Sequence, residues 1–163
     1  VFLPKEWGDN IDFNIVQFNN SGLGAFDGEL WDIEVKENII VGGVNQSAGE
    51  GVIYTGVTSS DLVDPANWRF YRVSQVIPDQ ATWVMGVCQG DAGDLYAVGR
   101  ESREEWGFVL RSTDGGASFT NITPLNEEGA SAIPDASRCV VKGGVLMVAG
   151  ANGLFASLPV AAR

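Results

Sequence analysis

Residues 109–119 read Val-Leu-Arg-Ser-Thr-Asp-Gly-Gly-Ala-Ser-Phe, and this stretch restricts the fold more than any other in the chain. An apolar strand enters a tight Asp-Gly-Gly turn, and a second strand leaves it behind an aromatic residue. Asp114 is placed to accept hydrogen bonds from the backbone N–H groups of its own turn. Gly115 and Gly116 can take positive φ because they carry no Cβ. Phe119 can then fold back onto the sheet. A chain punctuated in this way is expected to be built from short antiparallel strands.

The same grammar recurs along the chain. Trp31–Val35, Asn38–Gly43, Gly51–Thr55 and Trp68–Val73 read as one run of four strands. Trp83–Cys88, Asp94–Gly99, Gly107–Ser112 and Ser118–Ile122 read as a second. Ser137–Val141, Gly144–Gly150 and Gly153–Ser157 read as a third that lacks a fourth strand. Each second strand closes on a similar phrase: Ile-Val-Gly, Ala-Val-Gly, Val-Ala-Gly. Trp31 and Trp83 stand 52 residues apart, close to the period of a propeller blade. Lys142–Gly144, Ala151–Gly153 and Asp91–Asp94 read as hairpin turns. Short helical turns are expected only at Ser60–Asn67 and Asn126–Ala130. The alternating segment Asp12–Phe18 reads as an edge strand able to fill the gap in the third unit.

Composition agrees. The 163 residues are 45% hydrophobic and only 19% charged, with 21 glycines, a mix that suits a turn-rich β domain with a real core. No apolar run approaches the roughly 20 residues of a membrane span. The formal charge is −11 with only three lysines, so a nucleic-acid partner is not expected. There is no histidine, which removes histidine-based catalysis and metal ligation by this chain. Cys88 and Cys139 lie in apolar strand-like runs and read as two buried free thiols, with a disulfide as the alternative. The chain opens on Val1 rather than Met, which fits a processed product or a piece of a longer protein.

The 109–119 stretch resembles the Asp-box, or BNR repeat, of sialidase-like β-propellers and their relatives. These include sortilin-type receptor domains, xyloglucan-degrading hydrolases and photosystem II assembly factors. The phrase from Leu95 to Phe119 is the closest local echo. The resemblance implies an all-β, propeller-like array of about three four-stranded antiparallel blades in a single domain, residues 1–163. The blade-like repeats are about 31–73, 82–123 and 136–158, with residues 1–30 supplying an outer strand. It also implies that Ser112, Asp114, Gly115, Gly116, Ser118 and Phe119 form a structural fastener, with Val57–Asp61 as a degenerate copy. Propellers typically have about four to eight blades, so three are expected to be completed by self-association, by a protein partner or by further blades, or else to stand as an open stack with protected edges.

Candidate chemistry is thin. A sialidase needs an arginine cluster, a Tyr/Glu nucleophile pair and an acid; of the arginines only Arg138 opens a first strand where it could meet a ligand. Asp32 and Glu34 are two apart on one strand, about 7 Å, a spacing usable by glycosidase carboxylates. With Trp31, Ile33 and Val35 as the packed face, both carboxylates are expected to be solvated. Glu101, Glu104 and Glu105 interleave with Arg100 and Arg103 in a charged loop ending at Trp106. Asp91 and Asp94 only weakly suggest a calcium loop. Trp31 and Trp83 read as core between blades, whereas Trp7 and Trp106 fall outside the strand pattern and are the aromatic binding candidates. No metal and no cofactor are expected. The expected function is a non-catalytic interaction or scaffold module that works through protein contacts, located in a secreted, periplasmic or surface setting. The alternatives are a fragment or subunit of a sialidase-like glycoside hydrolase and a carbohydrate-binding lectin.

Overall fold

The computed structural model describes residues 2–4, 13–15, 28–62, 64–78, 81–101, 106–153 and 155–160. The described residues form an all-β structure with three small antiparallel sheets. The first is β3 (Gly28–Val35), β4 (Asn38–Asn45), β5 (Glu50–Val57) and β6 (Trp68–Arg72), paired in that order. The second is β7 (Thr82–Gln89), β8 (Leu95–Glu101), β9 (Gly107–Ser112) and β10 (Thr120–Asn121), again in chain order. The third has three strands, β11 (Ala136–Lys142), β12 (Val145–Gly150) and β13 (Phe155–Pro159).

Two further strands, β1 (Phe2–Pro4) and β2 (Phe13–Ile15), pair with each other. The middle of the Asp12–Phe18 segment therefore has a local partner and does not extend the third sheet; its other residues lie outside the described ones. A short hairpin closes a smaller loop, at lower entropic cost, than a pairing across the whole chain.

Local sequence explains most strand positions. β4 and β5 are inner strands, buried on both faces, and read as apolar runs with little alternation. The two-residue loop Gly143–Gly144 has φ of 59° and 73°, the primed turn whose twist matches its strands. At Ser60–Asn67 the helical turn is a 3-10 turn at Pro65–Asn67. At Asn126–Ala130 no helix forms. Asn126 Oδ1 accepts the N–H groups of Glu128 and Ala130, each at 3.0 Å, and closes a tight loop instead.

The three sheets share one irregularity. Their first strands each carry a register shift: at Leu30/Asp32, at Val84/Gly86 and at Ala136/Arg138. Trp31, Met85 and Ser137 are the extra residues. Opposite each shift stands a glycine of the second strand: Gly43, Gly99 and Gly150. A Cβ on them would lie 2.1, 1.9 and 1.8 Å from the carbonyl oxygens of Glu29, Trp83 and Asp135. This close approach is the physical reason for a glycine at that place in each second strand; in the first sheet it is Gly43, one residue beyond the Ile-Val-Gly phrase. It also corrects the repeat alignment: Trp31 matches Met85, two residues beyond Trp83.

The first strands lie side by side. β3 and β4 pack on β7, while β7 and β8 pack on β11. Between sheets one and two lie Ile40, Ile53, Tyr71, Val84, Leu95 and Phe108. Between sheets two and three lie Tyr96, Val98, Val109, Ile133, Leu146 and Val148. Cys88 and Cys139 are not free thiols. They form a disulfide with Cα atoms 5.8 Å apart that links β7 to β11. Nothing local brings two cysteines 51 residues apart together; the adjacency of the first strands does.

Candidate functional site

The Asp114 turn is held by its own side chains. Ser112 Oγ donates to Asp114 Oδ1 at 2.8 Å and accepts the Gly116 N–H at 2.9 Å. Ser118 gives Asp114 both its N–H, at 3.0 Å, and its hydroxyl, at 2.6 Å. The turn also grips the preceding sheet. Arg69 donates to the carbonyls of Asp114 and Gly115, both at 3.1 Å, and Thr55 Oγ1 donates to Gly115 O at 3.3 Å. Gly116 has φ of 86°, and a Cβ there would meet Thr55 Oγ1 at 2.3 Å. Phe119 is buried against Tyr71, ring centroids 4.9 Å apart.

These donors, Ser118 first, hold the Asp114 carboxyl down to about 2 from the ordinary 3.8. A lowered folded value means that the carboxylate stabilises the fold fully above pH 3.8, and that this is lost as pH falls through about 2. The group is exposed, so screening keeps the contribution under about 1 kcal/mol. Asp114→Asn should therefore be slightly less stable than the parent at neutral pH and converge with it near pH 2. Urea midpoints measured across that range test this; parallel curves for the two proteins would refute it.

The edge of β7 carries backbone groups that its own ladder leaves free, and neighbouring side chains satisfy them. Val87 N–H donates to Asp32 Oδ2 at 3.0 Å, from β3. Arg138, from β11, donates to Met85 O at 2.7 Å and to its own neighbour Ser137 O at 2.8 Å. Lys36 donates to Gln89 O at 2.8 Å and pairs with Glu34, also at 2.8 Å. The expected orientation of β3 is thus inverted. Asp32 and Glu34 turn toward the second sheet, while Ile33 and Val35 are 44% and 54% exposed. The extra residue Trp31 shifts the alternation by one, which exchanges the two faces beyond it.

Trp31 and Trp83 are not core residues either. Both are half-buried, with rings at 81° and centroids 5.8 Å apart. With Val44, Gln46, Gly49 and Ala81 they line a cleft of about 350 Å³ between the first two sheets, at the lower end of ligand-pocket sizes. Sequence reading missed this site, because its two indoles come from non-equivalent positions. Trp106 is 40% exposed and bridges Pro134, well separated in sequence from both cleft indoles. Trp7 and the loop residues 102–105 lie outside the described residues.

Of the remaining polar candidates, Asp94 and Arg100 are engaged. Asp94 is buried and pairs with the Arg111 guanidinium, so it is a counter-ion rather than half of a calcium loop. Arg100 pairs with Asp135 at 3.4 Å. Among the described residues no cluster of acidic or cysteine side chains could hold a metal. The chain's three tyrosines, Tyr54, Tyr71 and Tyr96, are all buried. Burial raises the hydroxyl pKa of each, that of Tyr54 to about 12. A tyrosine nucleophile requires the opposite, an accessible and acidified hydroxyl. Comparison with family models, with curated proteins and with solved structures finds no match.

Proposed function

We propose that the chain is a non-catalytic module of β-propeller type that works by protein–protein contact within a larger assembly. Its main support is the threefold recurrence of one register shift and one facing glycine, in sheets whose first strands lie side by side. Three such units, stacked about a common edge, read as consecutive blades of an incomplete ring. The Asp114 turn acts in this reading as the fastener between two of them. The outer face of the third sheet presents Val140, 51% exposed, beside Met147 and Ala149. An uncovered apolar sheet face of this kind is where another chain would dock.

Buried tyrosines and engaged carboxylates argue against the hydrolase alternative. The expected result is a solution mass that is a multiple of 17.3 kDa, or a complex with another protein, either one weakened by Val140→Glu. Turnover of an aryl glycoside by the purified chain would overturn the reading, as would binding that Val140→Glu leaves unchanged.

A further inference from the structure

The Trp31–Trp83 cleft has an electrostatic character that packing alone does not require. Indole faces are negative and attract cations. Trp83 already makes one such contact, with the Arg100 guanidinium 4.2 Å from its ring centroid. Trp31 donates its indole N–H to Glu29 Oε2 at 2.7 Å, which fixes a carboxylate beside one of the two cleft indoles. The neighbouring cations are neutralised: Arg100 by Asp135, and Arg72 by Glu50. Glu29 takes part in none of the ion pairs among the described residues. Among the described residues the local surplus is therefore negative, as is the whole chain at −11, and such a field draws cations in and turns anions away. Gly49 and Ala81 leave the space before the indoles open. An aliphatic group would gain from the rings but nothing from the carboxylate, and a neutral sugar would gain hydrogen bonds from it but no charge attraction.

We propose that this cleft binds an alkylammonium group, held by cation–π contact with the indoles of Trp31 and Trp83 and by the charge of Glu29. The site needs neither ring closure nor a protein partner, so it goes beyond the function proposed above. Its ligand has two sources of the same chemistry, a free quaternary ammonium compound or the lysine-type side chain of another protein.

The test is a tryptophan-emission titration of the whole chain with three probes. These are choline, its neutral isostere 3,3-dimethylbutan-1-ol, and methyl glucoside. The expected result is a saturable response to choline, with the neutral alcohol about tenfold weaker, as a desolvated cation–π contact implies. Glu29→Gln should weaken choline by about threefold, the size of a screened surface attraction. Ala81→Leu, which fills the cleft and leaves both indoles in place, should abolish the response while circular dichroism stays unchanged. A peptide carrying trimethyllysine that binds more tightly than choline assigns the group to a protein; equal or weaker binding assigns it to a free small molecule. Equal affinity for choline and the alcohol, tighter binding of methyl glucoside, or no saturable choline response from the folded chain each overturns the proposal.

Discussion

Replacing both Cys88 and Cys139 by alanine, or reducing their disulfide, should lower the unfolding free energy by about 4 kcal/mol. The magnitude follows from loop closure. The bond ties residues 51 apart, and the unfolded-state entropy it removes at that loop length corresponds to about 4 kcal/mol at 25 °C. This is a large share of the roughly 5–15 kcal/mol by which a domain of this kind is stable. Cys88 is fully buried, and Cys139 packs against the same apolar cluster. The double alanine variant therefore leaves small apolar side chains in an apolar setting and adds little beyond the entropic loss. Urea unfolding with and without a phosphine reductant measures the difference. A change below about 1 kcal/mol would mean that packing between the second and third sheets suffices without the covalent link.

The second large effect is expected at Gly99. An alanine Cβ there would stand 1.9 Å from Trp83 O and 2.6 Å from the Phe108 ring, so the first strand of the sheet must move. Forced overpacking against backbone costs about 3 kcal/mol or more. Gly90→Ala is the matched control: its nearest neighbour, Tyr96, is 3.5 Å away, an ordinary contact. Urea midpoints for the two variants should differ widely, with the slope unchanged. Gly43→Ala and Gly150→Ala should behave like Gly99→Ala, because the same carbonyl approach recurs at 2.1 and 1.8 Å. Equal tolerance of alanine at Gly99 and Gly90 would falsify the claim that one close contact shapes all three sheets.

Much of the fold was legible because strand and turn signals are local. Central strands such as β4 and β5 appear as branched apolar runs, and Gly, Asn and Asp mark where the chain reverses. The Asp114 turn was legible for the same reason, since the side chains that clasp it lie within seven residues of one another, from Ser112 to Ser118, although its grip on Arg69 and Thr55 does not. The face of β3 was not legible. Trp31-Asp-Ile-Glu-Val reads as clean alternation, and nothing in those five residues announces an extra one. The glycine opposite it was visible in each repeat, but as the close of a strand phrase rather than as the partner of a displaced carbonyl.

The candidate site was the least legible part. Trp31 and Trp83 attract notice as a spaced pair of tryptophans, yet they meet because their positions differ by two residues in the repeat. Arg138 was noticed for where it sits, while its hydrogen bond to Met85 O depends on how two strands face each other.

From its residues alone, this chain is committed to short antiparallel strands, to three similar units and to a side-chain-clasped Asp-Gly-Gly reversal. All of these depend on neighbours close in sequence. Packing of the first strands decided what remained: which thiols join, which face of β3 turns inward, which indoles open a cleft. A single inserted residue inverts a strand, and contacts across more than fifty positions form only once the sheets stand edge to edge.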